Sequence, residues 1–153
     1  MWSIVTPPIP AGCRSPPDGD TVRCMWSDQR SSQCPCGSGT SYDACCGRLH
    51  RGAVAETAEE LMRSRYSAFV VGDADHLFRT WHPRTRPDDL MLPVHRTWSG
   101  LVVLATEAGG AGDDAGVVEF EAHYVSGGRA GVQHEVSRFE RRRGRWVYVE
   151  GAT

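Results

Sequence analysis

Two closely spaced cysteine pairs constrain this 153-residue chain more than any other feature of its sequence. Cys34 and Cys36 form the first pair, and Cys45 and Cys46 follow after eight intervening residues. Four thiolates at this spacing can surround one Zn²⁺ ion at about 2.3 Å each, in a tetrahedral arrangement. Two glycines after the first pair allow the backbone to reverse direction. The spacing therefore predicts a zinc knuckle over residues 34–52.

Two other interpretations of the cysteine cluster stay open at this point, a redox pair and a set of inert buried thiols. A disulfide between the neighbouring residues Cys45 and Cys46 would be strained, which weighs against redox chemistry. His50 lies near enough in sequence to be an alternative fourth ligand, although four cysteines already fill a zinc shell. The two remaining cysteines of the chain receive no role.

Composition narrows the location and the chemistry of the chain. No segment approaches the roughly 20 apolar residues of a membrane span, and residues 1–12 lack the pattern of a signal peptide. We therefore expect a cytoplasmic protein, and the reduced thiol pool of the cytoplasm favours metal ligands over disulfides. The net charge of -2 gives no general attraction to nucleic acid or to membranes, so neither is expected as a partner. All 17 basic residues are arginine, which excludes any lysine Schiff base.

Residues 1–33 are expected to form a flexible tail, because they are rich in proline and lack apolar periodicity. The segment from Met25 to Ser27 repeats the three residues at the start of the chain, and everything with a foldable pattern follows it. These features suggest Met25 as an alternative start, with Met1 still possible.

Two helices are predicted after the cysteine cluster. Thr57 and Glu60 have the form of a capping box, an apolar stripe follows at helical spacing, and Gly72 is placed to end the helix. Asp73 can cap a second helix, which Pro83 would close. A short third helical turn is predicted over residues 88–92.

The pattern then changes to strands, because apolar residues cluster or alternate with polar ones. Strands are predicted over residues 98–107, 118–124, 132–141 and 146–150. Helices followed by an antiparallel meander predict an α+β domain over residues 55–151, with the sheet curled over the helices.

The knuckle resembles the SEC-C motif, in which Cys-x-Cys is followed after eight residues by Cys and then Cys or His. Further segments extend the resemblance to the YchJ family: LMRSRYSAF at 61–69, TWHP at 80–83, WSGL at 98–101, SRF at 137–139 and WVY at 146–148. The resemblance implies zinc on the four cysteines and a domain similar to nuclear transport factor two, a cone of helices capped by a curved antiparallel sheet. Such domains often hold a pocket between helices and sheet, whereas the family implies no established activity.

Six polar side chains are candidates for that pocket: Arg63, Arg65, Tyr66, His82, Glu135 and Arg138. Arg65 lies on the core-facing stripe of the first helix, and a buried arginine needs a carboxylate, for which Glu135 is the first choice. This pair either fixes the helix on the sheet or binds an anion. His82 lies at a predicted helix end, as a capping residue or as a general base.

We expect a binding or interaction module rather than an enzyme, with a protein partner or a small ligand in the cone pocket. The alternative is an enzyme of hydrolase, isomerase or lyase type, in which His82 or Glu135 acts as base and Arg65 orients an anionic group. Monomer and homodimer are both compatible with the sequence. The arginine-rich run at residues 141–145 is expected to form a solvated turn, with a contact to RNA or to an acidic partner as the alternative.

Overall fold

A computed structural model describes residues 33–153 of the chain. The tail predicted over residues 1–33 and the alternative start at Met25 lie outside this range, apart from Gln33. Gln33 pairs with Ser41 in an isolated antiparallel bridge. It therefore belongs to the knuckle rather than to the tail.

Helices precede strands throughout residues 33–153, which confirms the α+β class. The elements are α1 Cys46–His50, α2 Ala58–Val71, α3 Ala74–Arg79, β1 Thr97–Ala108, β2 Ala115–Ser126, β3 Arg129–Arg142 and β4 Arg145–Ala152. The strands form one antiparallel sheet in the order β1-β2-β3-β4. None of the helices in this part of the chain is long and apolar enough to cross a membrane.

Both predicted ends of α2 are confirmed. The Thr57 hydroxyl accepts a hydrogen bond from the Glu60 amide at 3.1 Å. The Glu60 carboxylate in turn accepts from the Glu56 amide at 2.7 Å, one residue before the position that a standard capping box would use. At the other end Gly72 adopts a left-handed conformation with φ of 79°, which a residue with a Cβ would resist.

Helix α3 starts as predicted but ends earlier than Pro83. The Asp73 carboxylate accepts from the His76 amide, as expected for its cap. The helix stops at Arg79 because the next residues pair with the edge of the sheet: the Tyr148 amide donates to the Thr80 carbonyl at 2.8 Å. The backbone groups that bond to β4 would not be available for this pairing if the helix continued for another turn.

The third helical turn predicted over residues 88–92 is wrong, since the structure has only bends there. Met91 in this segment is 86% exposed, and Leu90 and Leu92 are only half-buried, so little apolar surface is buried that could hold a turn in place. Pro93 also disfavours helical backbone at the residue before it.

The four strands lie where they were predicted and extend a few residues further at their ends. The residues of β2 that face the helices are Val118, Phe120 and Ala122, all buried, and they alternate with polar residues on the outer face. Gly127 and Gly128 both have positive φ and form the two-residue turn between β2 and β3.

One buried network joins the knuckle to α2 and α3. The His50 ring accepts from the Tyr42 hydroxyl at 2.6 Å and donates to the Ser64 carbonyl at 2.8 Å. Ser64 also lies 2.9 Å from Nε2 of His76, whose Nδ1 is 3.1 Å from the guanidinium of Arg79. Because Arg79 can only donate, Nδ1 of His76 accepts and Nε2 carries the proton. His76 is therefore a neutral imidazole.

The neutrality of His76 predicts a loss of stability in acid. Burial, followed by the charges of His50 and Arg79, lowers the pKa of His76 to about 3. The unfolded chain binds a proton at this residue below about pH 6.5, whereas the folded chain does not. The free energy of unfolding should therefore fall as the pH drops below 6.5, by about 1 kcal/mol from this residue at pH 5.5. The variant His76→Gln should show a flatter dependence in urea titrations at pH 7.5 and 5.5, and equal slopes for both proteins would contradict this.

Candidate functional site

The four knuckle cysteines converge on one point. All their sulfur atoms lie within 4.8 Å of one another. The Sγ atom of Cys45 is 3.7 Å from that of Cys36 and 3.9 Å from that of Cys46. A tetrahedron of sulfurs around an ion at about 2.3 Å has edges of about 3.8 Å, so the donors fit a metal ion with four thiolate ligands. None of the four cysteines forms a disulfide, so all four sulfur atoms are available as ligands.

The electrostatics of the cluster already favour a negative charge at one sulfur. Hydrogen bonding from the Cys46 thiol, followed by that from Ser38, lowers the pKa of Cys36 to about 4, although burial acts in the opposite direction. The same contact with Cys36, together with burial, raises the pKa of Cys46. The cluster therefore holds shared protons around a thiolate, and a divalent cation would displace those protons.

The knuckle docks on one face of α2 through contacts that sequence spacing did not reveal. The Ser67 hydroxyl lies 3.6 Å from Sγ of Cys34, and both groups are buried. Arg63, which is one turn earlier on the same face, donates to the Cys36 carbonyl at 2.9 Å. Since residues four apart share a helix face, these two side chains present one contact surface to the cluster.

Two polar residues that are close to the cluster in sequence have other roles. Arg48 forms an ion pair with Glu60. His50 is not a fourth ligand, because both of its ring nitrogens are occupied by Tyr42 and Ser64. His50 therefore has a structural role and does not serve as a metal ligand.

A cavity of about 280 Å³ lies between α2 and the inner face of the sheet, and we call it the cone pocket. Seven of its fifteen lining residues are aromatic. It is lined by Met62, Arg65, Tyr66, Phe69, Trp81, Pro93, Arg96, Trp98, Phe120, Ala122, Gln133, Glu135, Ser137, Phe139 and Tyr148. Three of the six predicted pocket residues are thus brought together: Arg65, Tyr66 and Glu135. Arg63 and Arg138 do not line the pocket, and Arg138 pairs with Glu150 instead. Tyr66 is buried, which raises the pKa of its hydroxyl, and its ring meets Trp98 edge to face.

Arg65 is buried as predicted, but its direct pairing with Glu135 is wrong. Its Nη1 donates to the Leu77 carbonyl at 2.9 Å and to the Thr80 hydroxyl at 2.8 Å. Within residues 33–153 no salt bridge joins it to Glu135. Burial lowers the pKa of Arg65 to about 10, so the guanidinium stays charged at neutral pH.

Aromatic faces take the place of the expected carboxylate. The guanidinium carbon of Arg65 lies 4.5 Å from the ring centre of Tyr148 and 5.0 Å from that of Trp81. A desolvated cation over aromatic faces gains about 2 kcal/mol, which offsets part of the burial cost. Tryptophan and tyrosine in the TWHP and WVY segments were visible in the sequence, but their contact with Arg65 was not.

Glu135 lies on the wall of the cone pocket and is held by hydrogen bonds. Its Oε1 accepts from the Ser137 hydroxyl at 2.6 Å and from the Tyr148 hydroxyl at 3.0 Å. Its Oε2 accepts from the Gln133 side chain at 3.3 Å, and Gln133 in turn accepts from Arg96 at 2.9 Å. Tyr148 therefore contacts both charged groups and separates Arg65 from Glu135.

His82 does not line the cone pocket, contrary to the enzyme hypothesis. It is buried beyond the end of α3, where its amide donates to the Tyr148 carbonyl at 2.7 Å. Its Nδ1 accepts from the Arg84 amide at 3.1 Å. The second ring nitrogen faces Glu140 at 3.9 Å. This environment matches the capping and packing role.

The fold and the two sites together define a class of protein, an α+β domain with an internal pocket that carries an N-terminal four-cysteine motif. Two family models match the chain: "YchJ, middle NTF2-like domain" over residues 57–151 and "SEC-C motif" over residues 30–48. An UPF0225 protein of Streptomyces coelicolor is 56% identical over 119 residues, covering 77% of this chain and 93% of that protein. An UPF0225 protein of Cupriavidus pinatubonensis is 50% identical over 125 residues, covering 77% and 86%.

Solved structures agree with this assignment. The solution structure of a SEC-C motif containing protein from Rhodopseudomonas palustris is 38% identical, covers 78% of this chain and 97% of that one, and has a TM-score of 0.69. The crystal structure of a SEC-C motif containing protein from Psychrobacter arcticus is 27% identical, covers 80% and 84%, and has a TM-score of 0.66. The chain belongs to the YchJ-like family, as its sequence motifs indicated.

Replacement of Arg65 should destabilise the fold more than neutralisation of Glu135. The variant Arg65→Met keeps the length of the side chain but loses two hydrogen bonds and two aromatic contacts, at a cost of about 2 to 4 kcal/mol. Glu135→Gln keeps an acceptor for Tyr148 and should cost about 1 kcal/mol or less. Urea denaturation of both variants measures the difference. Equal midpoints would show that Arg65 does not hold α3 and β4 together.

Proposed function

We propose that this chain is a cytoplasmic zinc protein whose cone pocket binds a small organic acid. The observation that carries the proposal is the double use of α2, which contacts the cysteine cluster with one face and lines the pocket with another. Free thiols throughout the cluster support a reducing compartment. A metal ion in this position would stabilise the wall of the cone pocket and would not take part in a reaction.

Zinc is supported by the donor set. Four thiolates with tetrahedral edges and no open coordination position are typical of structural zinc sites. Three of the cysteines, Cys34, Cys36 and Cys46, are nearly or fully buried, and only Cys45 is half-buried, as expected for a structural rather than a catalytic site. When bound, zinc would hold the two cysteine pairs together and so fix the loop that packs on α2.

The two faces of α2 couple the cluster to the pocket. Arg63 and Ser67 touch the knuckle, whereas Met62, Tyr66 and Phe69 line the cone pocket. A helix of 14 residues transmits a shift of one face to the other, because its backbone moves as a rigid unit. Loss of metal should therefore loosen the pocket wall as well as the knuckle.

The chemistry of the cone pocket favours an acidic ligand with an apolar or aromatic body. Two guanidinium groups, those of Arg65 and Arg96, line it against one carboxylate, that of Glu135. Two positive groups against one negative group leave the pocket lining with a net positive charge. Aromatic walls with a few polar groups are typical of small-molecule sites.

The hydrogen bonds of Glu135, one of the two candidate bases, favour a binding function over a catalytic one. Glu135 accepts three hydrogen bonds from neighbouring side chains. A general base must reach the proton it removes, and His82, the other candidate, is outside the pocket lining. The arrangement serves recognition better than proton transfer.

The metal proposal predicts one zinc per chain and a specific role for Ser67. Loss of a group that contacts a ligand sulfur typically lowers metal affinity by about tenfold or more. The variant Ser67→Ala should therefore bind zinc about tenfold more weakly in competition with a chromogenic chelator, and Cys45→Ser should lose stoichiometric zinc in elemental analysis. Ser64→Ala is the matched control, since it is equally buried on α2 but touches no sulfur. Equal losses in both serine variants would show a general effect of helix stability.

The pocket proposal can be tested with benzoate as a probe. Amide NMR shifts during a benzoate titration should concentrate on the residues that line the cone pocket, with a dissociation constant in the millimolar range. The variant Ala122→Phe directs a ring into the pocket and should weaken binding by about tenfold. Ala130→Phe makes the same change at an exposed position of β3 and should bind like the parent. Absence of shifts in the pocket of the parent protein would refute the proposed ligand class.

A further inference from the structure

A second concave surface, of about 280 Å³, lies beside the β3–β4 hairpin, and we call it the arginine groove. Five arginines contribute to its lining, from two different parts of the chain: Arg79, Arg86, Arg142, Arg143 and Arg145. The rest of its lining is largely apolar and includes Val54, Pro83 and Val147. Two of the arginines come from the end of α3 and the loop after it, and three come from the hairpin.

No acidic side chain of the described residues lines this groove. Arg79 is 3.8 Å from the exposed Asp75 and donates to the carbonyls of Leu49 and His50 and to Nδ1 of His76. Arg86 lies over the Phe78 ring at 3.8 Å. The groove thus concentrates positive charge in a chain whose total charge is -2.

The three hairpin arginines add charge that no ion pair among residues 33–153 neutralises. Arg142 and Arg145 are directly opposite in the strand register, where like charges destabilise a sheet. Arg143 occupies the turn between them with a positive φ of 51°. Among residues 33–153, none of these three side chains has an ion pair or a side-chain hydrogen bond within standard limits. Arg141, by contrast, is held by the carbonyls of Gly110 and Ala111.

We propose that the arginine groove binds the phosphate backbone of single-stranded nucleic acid. Guanidinium forks match phosphate oxygens in bidentate geometry, and groups on both sides of a groove can contact successive phosphates of one strand. The apolar residues of the groove can contact the sugars and bases of such a strand. The overall charge of the chain gave no indication of this partner, because the fold gathers arginines that are separated by up to 66 positions in the sequence, from Arg79 to Arg145.

The test uses the full chain, freed of nucleic acid and purified without chelators. A labelled single-stranded RNA of about 12 nucleotides should bind in fluorescence anisotropy at about 50 mM salt. If three to four phosphates are contacted, log K should fall against log salt with a slope of about -2 to -3. The double variant Arg142→Glu and Arg143→Glu should weaken binding by about tenfold or more and flatten the slope by about 1.4.

The charge reversals should leave the fold intact, because Arg142→Glu places a carboxylate opposite Arg145 and removes a repulsion. Circular dichroism verifies this, and Arg142→Gln with Arg143→Gln provides a milder pair with the same direction of effect. Arg129→Glu is the matched control at the opposite end of β3 and should change affinity by less than about twofold.

Three results would overturn the proposal: no binding by the parent at low salt, an equal loss in Arg129→Glu, or equally tight binding of a poly-glutamate peptide of matched length. The last result would identify an acidic protein segment as the partner. Benzoate binding in the cone pocket is independent of this site, so failure of either proposal leaves the other testable.

Discussion

The packing of the cysteine knuckle against α2 is the contact on which the rest of the structure depends. A loop of this size cannot bury enough apolar surface to fold alone. Its sulfur atoms instead join the same buried cluster as Leu61, Met62 and Tyr66 of α2. The cysteine cluster is therefore both a metal-binding donor set and a part of the hydrophobic core. A change in the positions of the cysteines would also change the packing of the core residues around them.

Helix α2 also sets the geometry of the cone pocket. Within a few turns, different side chains of this helix contact the knuckle, contact α3 through Ser64, and form part of the pocket wall. Arg65 illustrates the physical compromise. A charge is buried without a carboxylate, and a backbone carbonyl, a hydroxyl and two aromatic faces compensate it. This arrangement keeps the guanidinium charged although it is buried.

The predictions that succeeded were local or periodic. The caps at Thr57 and Asp73 and the stop at Gly72 follow from hydrogen bonds and backbone angles within a few residues. The alternation in β2 follows from the geometry of a strand with one buried face. The third helical turn failed because a weak local signal had no buried face to support it, and α3 was shortened by pairing with β4, which lies more than sixty residues later.

The sequence by itself determined the cysteine donor set, the order of helices and strands, and the family. These depend on spacing, periodicity and short motifs, which are properties of neighbouring residues. Only the tertiary structure decided what each arginine does. Arg48 pairs with Glu60, Arg63 touches the knuckle, Arg65 lies between two aromatic rings, and the hairpin arginines gather at a groove. A long charged side chain can reach many partners, and which of them it meets depends on distances that exist only after the elements have packed.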